Sequence, residues 1–233
     1  MRKLISLLLC SLLLAGVLAL PASAESTASK VDTIVTVTSE GDCIVSSTVR
    51  LSLDSPMESL TFPVPLNASD ITLNGGMART SKTATATEVD VSRVIGGMAG
   101  EVTLAINYNI PGAVKAVKGE NGERYLQLEL PLLNSFSLPV QSLSFIITMP
   151  GNVKYYPTFT SIYQQSGIEA SLEYIVDKNL LTGASTNPLN DHEAITMIMV
   201  VPQDMFPGVS TYIREGNPEV TPMLICAGLA LVY

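Results

Sequence analysis

Apolar residues recur at every second position along most of this chain. Val31, Val35 and Val37 share one face of an extended segment, with polar Asp32 and Thr36 between them. Because successive side chains of a β-strand point to opposite faces, this period predicts strands with one buried face. The alternation recurs in segments 43–53, 60–66, 102–110, 126–132, 143–149 and 172–176. No segment outside the two ends keeps the 3.6-residue period of an amphipathic helix, and at most a helical turn is predicted at 177–182.

Three local details place individual strands. Segments 31–37 and 43–53 flank a glycine-containing turn, which predicts a hairpin. Pro63 and Pro65 remove two amide donors, so their strand is predicted at a sheet edge or beside a sheet without full pairing. Segment 195–201 is apolar on both faces apart from Thr196, which predicts a central strand covered on both sides.

The number and spacing of these segments predict the fold class. About ten strands at a spacing of roughly ten residues are typical of an all-β fold built from antiparallel β-sandwiches. Segment 111–123 is rich in glycine and charge, so we place a boundary there. The prediction is two small sandwich-like units in tandem, at 25–110 and 111–212. A single continuous sandwich with a long excursion is the alternative.

The two ends of the chain predict its location. Arg2 and Lys3 precede an apolar run that ends in small residues, so residues 1–24 are predicted to be a cleavable signal peptide. Residues 221–233 are uncharged and largely apolar, and we interpret them as the start of a truncated transmembrane helix. A short apolar tail packed on the body is the alternative. The expected location is the cell membrane, single-pass, with the β domain on the extracytoplasmic side.

Charge and cysteine content exclude some partners and some modes of stabilisation. Loss of Arg2 and Lys3 with the signal peptide leaves 11 of the 13 basic residues against 21 acidic ones, a net charge of about −10. This balance argues against nucleic acid and against an anionic lipid surface as partners. Cys43 is the one cysteine outside the two ends, so an internal disulfide is not expected.

Motifs of the common catalytic chemistries are missing from the sequence. The single histidine, His192, is predicted to be a surface loop residue, because its acidic neighbours on a strand or turn would point away from it. Cys43 with His192 is a conceivable thiol-enzyme pair. Cys43 lies on the apolar phase of its strand, however, and is predicted to be a small buried hydrophobic residue. No cofactor and no metal are predicted.

A cluster of aromatic residues is the sequence's best candidate for a partner-binding site. Tyr155, Tyr156, Phe159 and Tyr163 fall within nine positions, close to amide side chains. Exposed aromatic rings beside amides can stack on a sugar or anchor a peptide. The alternative is that these rings cover one end of the sandwich.

Several segments resemble a known family. They are INYNIPGAV at 106–114, SLSFIITMPG at 142–151 with the Leu-Pro-Val before it, the tyrosine-rich loop leading to 175–177, and EAITMIMVVPQDMFPGV at 193–209. These resemble the predicted bacterial membrane proteins called domain of unknown function 2207. The chain has no tryptophan, whereas the family typically carries one in the region equivalent to 124–140. The resemblance implies an extracytoplasmic β domain, a transmembrane helix and usually a cytoplasmic tail, with no assigned activity.

Two classes of function follow. The first is a non-catalytic extracytoplasmic module, attached to the membrane through the C-terminal helix, that binds an envelope protein or a glycan. The second is a glycan-active enzyme at the cell surface that uses two carboxylates roughly 5–10 Å apart. Asp54, Glu58, Asp70 and Asp90 are its candidate acids, and no spacing favours any one of them.

Overall fold

A computed structural model describes residues 25–211 apart from Gln165. The all-β prediction is confirmed: these residues form mainly antiparallel sheets, with a single helical turn and one 3-10 turn. The predicted signal peptide and the predicted membrane segment lie outside the described residues. Within residues 25–211, again without Gln165, no helix is both long and apolar enough to cross a bilayer.

Sixteen strands, one α-helical turn and one 3-10 helix make up the described part. They are β1 (Thr27–Val37), β2 (Cys43–Leu53), β3 (Thr61–Pro65), β4 (Ser69–Leu73), β5 (Gly76–Met77), β6 (Thr80–Lys82), β7 (Ala86–Asp90), α1 (Ser92–Ile95), β8 (Gly100–Ile110), β9 (Val114–Lys118), β10 (Arg124–Leu133), β11 (Leu143–Thr148), β12 (Thr158–Tyr163), β13 (Ser166–Glu169), β14 (Leu172–Asp177), β15 (Leu180–Ser185), β16 (Ala194–Val201) and the 3-10 helix Gln203–Met205.

The strands form three sheets. The largest has eight strands in the order β14-β15-β11-β1-β2-β8-β4-β5, and a five-stranded sheet has the order β13-β12-β16-β10-β9. A third sheet, β3-β7-β6, has three strands. All pairings between named strands are antiparallel except that between β1 and β11, where Val31 pairs with Leu143 and Thr36 with Thr148.

The parallel pairing of β1 with β11 corrects the predicted division into two units. Strands from 25–110 and from 111–212 share the eight-stranded sheet, so the boundary at 110/111 does not separate two sandwiches. The supposed linker at 111–123 contains β9, which forms a hairpin with β10. The continuous sandwich, the alternative prediction, describes this arrangement better.

The eight-stranded and five-stranded sheets pack face to face over one hydrophobic core. Phe159 on β12 of the smaller sheet contacts two rings of the larger sheet. Its ring centroid lies 5.5 Å from that of Phe145 on β11 and 5.1 Å from that of Tyr174 on β14. These three rings join the two layers near the β14 edge of the large sheet.

Two strand predictions are confirmed and two details are wrong. β3, with Pro63 and Pro65, is an edge strand, and β16 is central in its sheet. Burial along β16 nevertheless alternates, and Val200 is 39% exposed, so one face of β16 is not fully covered. The turn predicted as helical at 177–182 is a hairpin turn followed by β15, because Leu180–Ser185 pairs with β14 and with β11.

Cys43 is buried, as its phase in the strand predicts. Burial, with a smaller contribution from the negative charge of Asp42, raises the pKa of the Cys43 thiol to about 12. Desolvation disfavours the thiolate, which is the nucleophilic form of a cysteine. The side chain therefore behaves as a small hydrophobic residue of the core.

Candidate functional site

The aromatic cluster predicted from the sequence is divided between surface and core. Tyr155 and Tyr156 lie in the β11–β12 loop and are 52% and 80% exposed. Phe159 is only 5% exposed and packs between the sheets. Its prediction as a partner-binding residue is therefore wrong, because a ring at this depth cannot contact a partner. Tyr163 is half-buried at the end of β12, where its hydroxyl accepts a hydrogen bond from the Gln164 amide at 3.1 Å.

The two exposed tyrosines line a surface cleft of about 230 Å³. We call it the tyrosine–lysine cleft. Its lining residues are Val153, Lys154, Tyr155, Tyr156, Val176 and Lys178. Val153 and Val176 also pack against the hydrophobic core, so the cleft opens where the core meets the solvent.

Backbone hydrogen bonds fix the two walls of the cleft to each other. The Val153 N–H donates to the Lys178 carbonyl at 2.8 Å, and the Met149 N–H donates to the Asn179 carbonyl at 2.8 Å. The Asn179 side-chain amide donates back to the Met149 carbonyl at 3.3 Å. These bonds clamp the tip of the β14–β15 hairpin to the β11–β12 loop.

The hairpin tip holds a non-glycine residue in a left-handed backbone conformation. Lys178 has φ of +54°, a value that residues with a side chain adopt uncommonly. Positive φ is expected in a two-residue loop such as the one between β14 and β15. The bonds from Val153 and Met149 hold this loop, and with it Lys178, beside the tyrosines.

The two lysines of the cleft differ electrostatically. The Lys154 ammonium lies 2.9 Å from Oδ2 of Asp204, on the 3-10 helix. The hydrogen bond and charge of Lys154 lower the pKa of Asp204, so this pair is neutral overall. Lys178 has no carboxylate within ion-pair distance among the residues that the structure describes. It therefore provides the uncompensated positive charge of the cleft.

His192 and Cys43 are not brought together. His192 is exposed in the loop before β16. It follows Leu189 by three residues, and Leu189 pairs with Val140, which in turn pairs with Ala28 at the start of β1. Cys43 pairs with Val37 at the other end of β1. At about 3.4 Å per residue these two ends are ~30 Å apart. The hypothesis of a thiol-enzyme pair is wrong.

Two of the four candidate acids lie at opposite ends of the eight-stranded sheet. Asp70 accepts a hydrogen bond at 2.9 Å from Asn109, which pairs with Ile44 near the start of β2. Asp54 follows Leu53 at the end of β2. Nine residues of strand separate Ile44 from Leu53, about 30 Å, so Asp54 and Asp70 cannot act as the closely spaced pair of a glycosidase.

The two other candidate acids lie near the three-stranded sheet. Glu58 is exposed in the β2–β3 loop, and Asp90 ends β7, where it pairs with Thr61. Hydrogen bonds from the Ser92 side chain and amide lower the pKa of Asp90. A general acid requires the opposite shift. Among the described residues, no three His, Cys, Asp or Glu side chains group as a metal site.

Sequence reasoning missed the charged residues of the cleft. Lys154 could have been noted because it adjoins Tyr155, but Lys178 and Asp204 reach the site only through folding. A buried carboxylate was missed as well. Glu193 is 8% exposed and accepts hydrogen bonds from Ser161 and from the Asn190 backbone and side-chain amides.

The chain resembles known proteins only distantly. No family model and no curated protein matches the chain. A solved structure of native yeast LTA4 hydrolase is 14% identical, with a TM-score of 0.45, over 75% of this chain and 29% of that one. The M1 zinc metallopeptidase from Deinococcus radiodurans is 13% identical, with a TM-score of 0.35, over 74% of this chain and 42% of that one. The chain thus spans less than half the length of either enzyme. Identities and TM-scores this low do not establish a shared activity.

Proposed function

We propose that this chain is the extracytoplasmic part of a single-pass bacterial membrane protein and acts as a non-catalytic binding module of the cell envelope. The observation that carries the proposal is the tyrosine–lysine cleft. The amino-terminal signal pattern, the apolar residues 223–233 and the family resemblance support the location.

The composition of the cleft suits binding of a polar partner with an apolar face. Tyr155 and Tyr156 expose large rings that lose unfavourable contact with water when a ligand covers them. Each ring also carries a hydroxyl that can exchange hydrogen bonds with the ligand. Because the hairpin tip and the loop are already clamped together, little conformational entropy is lost on binding.

The envelope-binding role is tested by removing both exposed rings. We expect the Tyr155→Ala/Tyr156→Ala variant of the full chain, purified in mild detergent, to sediment at least fivefold less with insoluble cell-envelope fragments. Loss of two ring contacts, each of about 0.5–1.5 kcal/mol, accounts for an effect of this size. The bound fraction in the pellet is the measurement.

Tyr163→Ala is the matched control, because Tyr163 belongs to the same aromatic cluster in the sequence but does not line the cleft. It should sediment like the parent chain. If the double variant also sediments like the parent, the tyrosine–lysine cleft does not bind the envelope and the proposal is wrong.

A further inference from the structure

We propose that the tyrosine–lysine cleft binds a sugar acid, a single pyranose unit carrying one carboxylate within an envelope glycan. This inference rests on the proposed function and specifies its ligand. It follows from the size of the cleft, the aromatic and polar groups that line it, and its charge.

The size of the cleft limits the ligand. At about 230 Å³ it is smaller than the roughly 300–1,000 Å³ of pockets that enclose drug-sized ligands. A single ring fits this space, whereas a folded segment of another protein does not. The site is also open to solvent through the exposed Tyr155 and Tyr156, so the ring can remain linked to a longer polymer outside the cleft.

The walls of the cleft match the two faces of a sugar ring. A pyranose presents C–H groups on its faces and hydroxyls around its rim. The rings of Tyr155 and Tyr156 and the side chains of Val153 and Val176 provide the apolar surface for a ring face. The tyrosine hydroxyls and the Lys154 ammonium provide hydrogen-bonding groups for the rim.

The charge of the cleft selects an acidic sugar over a neutral one. Lys154 is balanced by Asp204 at 2.9 Å, which leaves the Lys178 ammonium as the group that a ligand carboxylate can pair with. Asp177 precedes Lys178 at the end of β14, but it does not line the cleft. One uncompensated ammonium matches one carboxylate.

An anionic membrane surface is a poorer ligand for the same residues. The cleft lies at the end of the large sheet where Thr148 of β11, Thr36 of β1 and the β14–β15 tip are in register. The β1–β2 turn at this end carries the exposed acid Glu40. A flat anionic surface would meet Glu40 together with Lys178, whereas a single small ligand can reach Lys178 without approaching Glu40.

The test compares an acidic with a neutral disaccharide on the full chain. The chain contains eight tyrosines and no tryptophan, so a change in tyrosine fluorescence on ligand addition can be followed without interference from tryptophan, and its loss in the Tyr155→Ala/Tyr156→Ala variant assigns it to the cleft. Cellobiuronic acid should bind at least tenfold more tightly than cellobiose, which differs by the carboxylate alone. Lys178→Gln should abolish this preference, so that the variant binds the two disaccharides equally. Lys178→Arg should retain the preference, as should Lys82→Gln on the distant strand β6.

The other possible outcomes contradict the sugar-acid assignment, and they can be told apart. Equal affinity of the parent chain for the two disaccharides, or a preference that survives Lys178→Gln, overturns the sugar-acid assignment. If neither disaccharide binds but the Tyr155→Ala/Tyr156→Ala variant still fails to sediment with envelope fragments, the ligand belongs to another chemical class. The sugar-acid assignment is then wrong, and the proposed binding role is retained. If phosphatidylglycerol vesicles compete with the fragments for the cleft, the anionic ligand is a lipid. If the Tyr155→Ala/Tyr156→Ala variant sediments with envelope fragments like the parent chain, the proposed function itself is wrong.

Discussion

Phe159→Ala is expected to lower the free energy of unfolding by about 3–5 kcal/mol, as truncation of a buried phenylalanine typically does. The ring is 5% exposed and contacts Phe145 and Tyr174 of the opposite sheet. Its loss removes buried apolar area, leaves a cavity between the layers and breaks two aromatic contacts. Equilibrium unfolding in urea, followed by circular dichroism, measures the effect.

Tyr156→Ala is the control for this substitution. Tyr156 lies three residues earlier in the same aromatic cluster but is 80% exposed, so its truncation should change stability by less than about 0.5 kcal/mol. Comparison of the two variants shows which aromatic residues of the cluster pack in the core and which are available to bind a partner. A stable Phe159→Ala protein that has lost envelope binding would show that Phe159 belongs to the binding surface after all.

Gly183→Ala is expected to destabilise the protein by about 1–3 kcal/mol, because it overpacks the core under the same aromatic rings. A methyl group at Gly183 would lie 2.5 Å from Cζ of Phe145, 2.7 Å from the Glu173 carbonyl oxygen and 2.9 Å from Cβ of Tyr174. Two of these atoms belong to the backbone or adjoin it, so a side-chain rotation cannot relieve the clash. Urea unfolding provides the measurement here as well.

Gly167→Ala is the matched control for this strand glycine. Gly167 lies in the edge strand β13, and a methyl group there would meet no atom within 4 Å. Its substitution should leave stability unchanged or raise it slightly, because alanine restricts the unfolded chain. If Gly183→Ala were as stable as Gly167→Ala, the close packing of β11 and β14 against Gly183 would be incorrect.

Features set by a residue's immediate neighbours could be predicted from the sequence. The alternation in segments 31–37 and 43–53 gave the β1–β2 hairpin and the buried position of Cys43. Pro63 and Pro65 gave an edge strand, because an absent amide donor excludes the middle of a sheet. Each of these predictions depends on a physical rule that acts within a few residues.

Features that depend on pairing between distant segments could not be predicted in this way. Val31 pairs with Leu143, 112 residues away, and nothing in the alternation of either strand specifies that partner. The strands β4 to β7 are short and polar, so they carry no period long enough to recognise. A glycine-rich charged segment was interpreted as a linker because β9 within it has only five residues.

The candidate site also combines features set by neighbouring residues with features set by pairing between distant segments. The exposed tyrosines were found from local composition, but Phe159, in the same cluster, faces the core because its strand β12 pairs with β16. Lys178 joins the tyrosines through the hydrogen bond from Val153 to its carbonyl. The chemistry of the cleft therefore results from tertiary contacts between three segments, which a single sequence does not specify.

The most direct test of the binding role is hydroxyl-radical footprinting of the full chain with and without insoluble envelope fragments. Mass spectrometry then reports the oxidation of each tyrosine and methionine. The account predicts that Tyr155 and Tyr156 become protected, while Met77, which is 95% exposed at the opposite edge of the large sheet, is oxidised as in the free chain. Unchanged oxidation of both tyrosines in a chain that is bound to the fragments would contradict the account.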